Sequence, residues 1–135
     1  MYTHSPQEHR VQAEHNARLA NSLIQNEPAW AATIFFYAAM HRLDEYLSFQ
    51  GIGYREHTER IDWLKHAPGL SGERQYYLDL YHQSRTARYE CPSPTEDVCR
   101  PAQVRAKMRV WYELFSAAID REEQVRRFIL PPSIP

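Results

Sequence analysis

Apolar side chains recur along this chain at intervals of three and four residues, the period of an amphipathic α-helix. The pattern is clearest near the C-terminus, in a series that alternates steps of four and three: Val104, Met108, Trp111, Phe115 and Ala118. Such a series lies on one side of a helix and forms a buried seam. The chain contains almost no alternation of apolar and polar residues, the pattern typical of a β-strand. The sequence therefore predicts an all-α protein.

Helix start and stop signals divide the rest of the chain into four further helices. Ser5, Pro6 and Glu8 form a capping box with proline at the first helical position, which marks the start of the first helix. The second helix begins after Pro28 and ends at Gly51, and its first half is apolar on nearly every face. Because such a helix must be covered on most sides, we expect it to be the central one. A short third helix and a fourth helix come next, within residues 57–67 and 71–90.

The organisation predicted from these helices is an up-and-down bundle of four to five helices with an extended C-terminal tail. Residues 1–128 form the bundle, and residues 129–135 form a proline-rich tail, because its prolines prevent the last helix from continuing. The tail is more apolar than most disordered termini. We therefore expect it to pack on the bundle or on a partner.

Composition narrows the class of protein. A chain of 135 residues, 43% hydrophobic and 24% charged, indicates a single globular domain. The formal net charge of −1 gives no overall electrostatic argument for nucleic acid or membrane. The longest apolar run, residues 30–40, is too short to span a bilayer, and no signal peptide is recognisable, so we expect a cytoplasmic protein without membrane partners. Fourteen of the sixteen basic residues are arginine, which suits bidentate contact with phosphate or carboxylate.

Two segments carry a resemblance to a known family. The stretch AATIFFYAAMHRLDEYLSFQGIGYREHTERIDWL and the later SRTARYE resemble small prokaryotic members of the HEPN family, over roughly residues 8 to 120. The resemblance implies a four- or five-helix bundle, commonly a homodimer, of the kind found in toxin–antitoxin and phage-defence systems. It also implies RNA or a nucleotide as ligand and an operon-encoded protein as partner.

Many members of that family are metal-independent ribonucleases, with a histidine four to six residues beyond an arginine on one helix. Arg85 stands at the corresponding place, but Glu90 lies five residues later, and neither of the next two positions is histidine. The same spacing occurs elsewhere as Arg10–His15 and Arg60–His66, at the frequency expected by chance. Metal-free RNA cleavage needs a base and an acid, and imidazole suits both roles. Because the expected histidine is missing after Arg85, the sequence predicts RNA binding without efficient cleavage.

The candidate site collects polar side chains from three predicted helices. Tyrosine could stack on a base while arginines hold phosphates, which predicts a nucleic-acid or nucleotide site made of Tyr37, His41, Asp44, His57, Arg60, Arg85, Arg88 and Tyr89. The catalytic candidates are Arg85, Glu90, His41 and His57. The structural alternative is that His41 bonds a neighbouring helix, His57 caps the third helix, and Arg85 pairs with Asp44 or Glu45.

Metal and cofactor signals are weak in the sequence. His41, Glu45 and His57 could supply three ligands, but no further metal motif accompanies them, so we expect neither a metal nor a cofactor. Three functions remain open: a dimeric binding or regulatory module, a ribonuclease toxin with an atypical active site, and a structural subunit of a larger assembly.

Overall fold

The computed structural model of the chain describes residues 4–90 and 102–129. Within these ranges the protein has five α-helices and no strand, which confirms the predicted all-α bundle. The helices are α1 (Pro6–Leu23), α2 (Pro28–Phe49), α3 (His57–Lys65), α4 (Arg74–Arg85) and α5 (Ala102–Ile129). A 3₁₀ turn, Pro68–Leu70, lies between α3 and α4, and a π-helical turn, Thr86–Glu90, continues α4.

The start of α1 is the predicted capping box. The Ser5 hydroxyl accepts a hydrogen bond of 3.1 Å from the Glu8 amide, and the Glu8 carboxylate accepts one of 2.9 Å from the Ser5 amide. Further along α1 the fully buried positions are Ala13 and Ala20. Because these side chains are single methyl groups, α1 lies close along α2.

Helix α2 is the central helix, as predicted. It contacts α1, α4 and α5, and its buried side chains point in all directions around the helix. Its main apolar contributions to the core are Ala31, Ala32, Phe35, Phe36, Ala38, Ala39, Leu43 and Leu47. The helix stops before Gly51, whose φ of 79° lies in the left-handed region that glycine adopts without steric cost.

The four long helices run up and down. Helix α1 is antiparallel to α2, because the Ser48 hydroxyl donates a hydrogen bond of 3.0 Å to the His4 carbonyl and His9 lies beside His41. Helix α5 is parallel to α2 and antiparallel to α4. The contacts that show this are Phe35–Tyr112 and Tyr46–Arg126 for the first pair, and Glu73–Arg121 and Tyr77–Phe115 for the second.

A group of charged side chains lies between α1, α2 and α5. The Arg42 guanidinium, 2% exposed, donates a hydrogen bond of 2.6 Å to Glu45 and also binds Asp120. Arg10 donates a hydrogen bond of 2.7 Å to the same Asp120 carboxylate. Burial and the neighbouring carboxyl of Glu123 raise the pKa of Glu45 to about 8. These five residues are called the ionic cluster below.

Some predictions fall beyond the described residues. The tail predicted at residues 129–135 begins at the last residue of α5, Ile129, and residues 130–135 lie outside the described part. The side chains of Tyr89 and Glu90 also lie outside it. In the part of the chain that is described, no helix is both long enough and apolar enough to cross a bilayer.

Candidate functional site

The predicted site residues meet along one side of α2. Tyr37, His41 and Asp44 occupy successive turns of that side, because steps of four and three keep residues on one face of a helix. The start of α3 and the end of α4 pack against the same side, with Arg60 reaching Asp44 and Arg88 reaching Tyr37. Apart from Tyr89 and Glu90, whose side chains lie outside the described part, the predicted residues form two adjoining groups.

The first group pairs arginines with tyrosines. The Arg88 guanidinium donates a hydrogen bond of 3.0 Å to the Tyr37 hydroxyl, and its carbon lies 5.7 Å from the centre of the Tyr37 ring. Its Nε also donates to the carbonyl of Ser84, at 3.3 Å. Arg88 belongs to the π-helical turn, a local widening that often occurs at functional sites. This turn is what positions Arg88 over α2.

Arg85 forms a similar pair one turn earlier. Its guanidinium donates a hydrogen bond of 3.3 Å to the Tyr81 hydroxyl and lies 5.9 Å from the centre of that ring. The side chain of Arg85 is exposed. Asp44 and Glu45, the two carboxylates considered as partners of Arg85, bind other arginines. Arg60 binds Asp44, and Arg42 binds Glu45.

His57 lies between the two arginine–tyrosine pairs. Its ring centre is 5.4 Å from that of Phe36 and 5.7 Å from that of Tyr81. The prediction that it caps α3 is wrong, because Glu56 occupies the cap position and its amide donates a hydrogen bond of 3.2 Å to the Glu59 carboxylate. The Nδ1 atom of His57 is buried and has no hydrogen-bond partner among the described residues.

The electrostatic surroundings of His57 are cationic. Burial is the main cause that lowers the pKa of His57, and the nearby charges of Arg60 and Arg88 lower it further. The imidazole is therefore neutral at pH 7, within reach of the positive charges of three arginines. The five residues Tyr37, His57, Tyr81, Arg85 and Arg88 are called the cationic aromatic face below.

The second group lies one turn further along α2. The Nδ1 atoms of His9 and His41 are 3.1 Å apart, which confirms that His41 bonds a neighbouring helix. Burial lowers the pKa of both imidazoles. The Asp44 carboxylate accepts two hydrogen bonds from Arg60, of 2.8 and 3.0 Å, and Arg60 also donates to the carbonyl of Tyr54 at 3.1 Å.

A cavity opens beside this second group. Its volume is about 380 Å³, and its polar walls come from α1, from the same side of α2, and from the loop and helix next in the chain. The polar side chains that line it include His4, His9, His41, Asp44, Ser48 and Arg60. Its size is that of a small-ligand site.

Sequence analysis missed His9. The signal was present, because His9 lies four residues before the fully buried Ala13 and therefore on the side of α1 that faces α2. What the sequence does not contain is the rotation of α1 about its own axis, which decides that His9 meets His41 and Asp44.

The other constellations weighed from the sequence do not form. Glu45 turns towards Arg42, and His57 packs on aromatic rings, so these two do not join His41 as metal ligands. In the two chance matches to the arginine–histidine spacing, Arg10 binds Asp120 and His66 bonds the carbonyl of Asp62. Arg60, the arginine of the second match, is held on Asp44.

Comparison of the chain with protein-family models, with curated proteins and with solved structures finds no match. The resemblance to the HEPN family therefore stays a prediction from the sequence.

Proposed function

We propose that this protein is a binding module for single-stranded RNA and that the cationic aromatic face is its binding surface. The observation that supports this best is the pairing of two guanidinium groups with two tyrosine rings on one face, Arg88 with Tyr37 and Arg85 with Tyr81. The resemblance to the HEPN family supports the same ligand class.

The chemistry of the face suits a single strand better than a duplex. Proteins that bind single strands combine aromatic rings, on which bases stack, with basic side chains that follow the backbone. Here the rings and the guanidinium groups alternate over a short distance, so a base and its phosphate have complementary neighbours. Arg85 and Arg88 also make further interactions within the protein, so RNA would share these groups with their present partners.

The test is binding of a labelled RNA of mixed sequence, about 12 nucleotides long, followed by fluorescence anisotropy in EDTA at several salt concentrations. We expect Tyr37→Leu to weaken binding by about 10-fold or more, the size of one lost stacking contact. We expect Arg85→Ala and Arg88→Ala each to reduce the slope of log K against log salt by about 0.7, the value for one phosphate contact to a single strand.

Arg18→Ala is the matched control, because Arg18 is exposed on α1, a helix that contributes no residue to the face, and its loss changes the net charge by the same amount. This variant should keep the wild-type salt slope. Equal effects of Arg18→Ala and Arg88→Ala would show only non-specific attraction and would contradict the proposal. Absence of RNA binding by the wild type would instead favour the structural subunit of a larger assembly.

Cleavage of the bound RNA is a second candidate function, and the observation that favours it is His57. A partly exposed imidazole with a lowered pKa, close to arginines, is a candidate base for the 2′-hydroxyl proton; because Nδ1 is buried, Nε2 would be the atom that accepts it. The same RNA samples, separated by length after incubation in EDTA, decide this point. If the wild type shortens the RNA, His57→Gln does not, and a 2′-deoxy strand stays intact, the protein is a metal-independent ribonuclease.

The wider setting rests on the resemblance alone. A homodimer, an operon-encoded protein partner, a cytoplasmic location and a role in a toxin–antitoxin or phage-defence system stay predictions. Light scattering after size-exclusion chromatography tests the first of them directly, since a monomer and a dimer of a 16.0 kDa chain are well separated in mass.

A further inference from the structure

Three side chains with metal-ligating atoms converge beside the cavity, outside the cationic aromatic face. They are His9 from α1 and His41 and Asp44 from α2, and their ligand atoms all lie within 4.8 Å of one another. His41 and Asp44 share a helix face because they are three residues apart. Within residues 4–90 and 102–129 this is the one group of three such side chains.

The separation of the two imidazoles matches a shared metal ion. Two nitrogens that each lie about 2.0–2.1 Å from one zinc ion, at the tetrahedral angle, are about 3.3 Å apart. The Nδ1 atoms of His9 and His41 are 3.1 Å apart and face each other. Imidazole nitrogen and carboxylate oxygen are also ligands that zinc prefers.

We propose that His9, His41 and Asp44 bind a divalent transition-metal ion, with Zn²⁺ as the preferred ion. The proposal does not depend on RNA binding, because it concerns a different set of side chains. It departs from the expectation drawn from the sequence, in which His41 was considered with Glu45 and His57 and no metal was expected.

The surroundings hold the ligands in place. Arg60 donates hydrogen bonds to both oxygens of Asp44 and is itself anchored on the carbonyl of Tyr54. A carboxylate oxygen has more than one lone pair, so these bonds leave Asp44 able to bind an ion. Hydrogen-bonded partners of this kind fix the orientation of a metal ligand and are a regular part of metal sites.

Three protein ligands leave at least one coordination position open, the arrangement of sites that take water or substrate. The three side chains line the cavity, whose wall also carries His4, so a further ligand could reach the ion from there. Because Arg60 balances the charge of Asp44, the site with its dication is positively charged overall. The open position therefore favours an anionic oxygen ligand, such as inorganic phosphate or a carboxylate.

The test is titration of tag-free protein with ZnCl₂ in an isothermal calorimeter, after treatment with EDTA and transfer to buffer without chelator. We expect one ion per chain. His9→Ala and Asp44→Asn should each weaken binding by more than the roughly 10–100-fold that loss of an outer-shell partner causes. His15→Ala and His66→Ala are matched controls, because both histidines are exposed, and they should bind zinc as the wild type does.

A second measurement covers the case in which a variant fails to fold. Nitrogen-15 spectra of the histidine rings of the wild type, with and without ZnCl₂, should show shifts of His9 and His41 and none of His15 or His66. Three results would each overturn the proposal. They are the absence of saturable zinc binding, unchanged zinc affinity in His9→Ala and Asp44→Asn, and shifts confined to the exposed histidines. If zinc does not bind, the 3.1 Å contact between the Nδ1 atoms of His9 and His41 is a hydrogen bond, in which one imidazole carries the proton on Nδ1 and the other accepts it. Because RNA binding is measured in EDTA, failure of the metal proposal leaves that result untouched.

Discussion

His57 combines an unfavourable contribution to the stability of the fold with a place in the proposed binding surface. It packs on Phe36 and Tyr81, and its buried Nδ1 atom has no hydrogen-bond partner within residues 4–90 and 102–129. An unpaired buried polar atom costs free energy, about 1–3 kcal/mol in mutational data. Such a cost is common at functional sites. The sequence singled out His57 as a site candidate, because it opens α3 immediately after the turn, and offered a cap as the structural alternative; neither interpretation included a buried ring.

The lowered pKa of His57 predicts a dependence of stability on pH. Below the ordinary histidine pKa of about 6.5, the unfolded chain binds a proton that the folded chain does not yet bind. The free energy of unfolding should therefore fall as the pH decreases from 7 to 5, and it should fall less steeply in His57→Gln. Urea denaturation in EDTA at several pH values measures both slopes.

His66→Gln is the control, because His66 is exposed on the same helical segment. It should keep the wild-type dependence on pH. If the curves of the wild type and His57→Gln run parallel, burial does not lower the pKa of His57.

At the scale of elements, the contact of α1 with α2 determines which side chains meet. Ala13 and Ala20 are fully buried and small, and they let the helix backbones approach. The same approach brings His9 to His41 and places His4 beside the end of α2. Ala13, Ala17 and Ala20 recur at helical spacing in the sequence, so the close packing of α1 was predictable while its individual contacts were not.

Ala20→Leu should therefore destabilise the protein. The added carbons have no space between α1 and α2, and overpacking of this kind costs about 1–3 kcal/mol of unfolding free energy. Asn21→Leu, at the exposed neighbouring position, should change the stability by less than about 0.5 kcal/mol. Thermal and urea unfolding of both variants measure the difference. A loss of stability in Asn21→Leu equal to that in Ala20→Leu would contradict the close approach.

For the whole molecule, the hydrophobic pattern accounts for the fold and not for the charges inside it. The predicted seam of α5 is buried in the structure at Met108, Phe115 and Ala118, with Trp111 packed partly against the core. The ionic cluster was missed, because nothing in a local pattern tells which charged residue turns inward. Arg42 and Asp120 are 78 positions apart and meet only once α2 and α5 have packed. Local periodicity specifies elements, and partners across elements depend on their final arrangement.

The ionic cluster should make α1, α2 and α5 depend on one another. Arg42→Ala removes the cation that faces Glu45 and Asp120, and breaking a buried pair costs about 3–5 kcal/mol. Because Asp120 is half exposed, and because the raised pKa of Glu45 reduces its charge near pH 7, we expect the lower end of that range. Arg109→Ala, an exposed change on α5, should lie within about 0.5 kcal/mol of the wild type. Urea denaturation provides the values, and a neutral effect of Arg42→Ala would show that the cluster is not a link between the helices.

The placement of both proposed sites on α2 has a consequence for how the chain tolerates change. Tyr37 belongs to the cationic aromatic face and His41 to the metal group, and one turn of an uninterrupted helix separates them. Each residue added to a helix rotates all later residues by about 100°, so an insertion or deletion between these positions would carry His41 and Asp44 to another side of α2. A substitution can change the binding properties of one site without moving the other. An insertion or deletion in α2 would displace one site relative to the other, so we expect homologues that retain both sites to have the same number of residues between them.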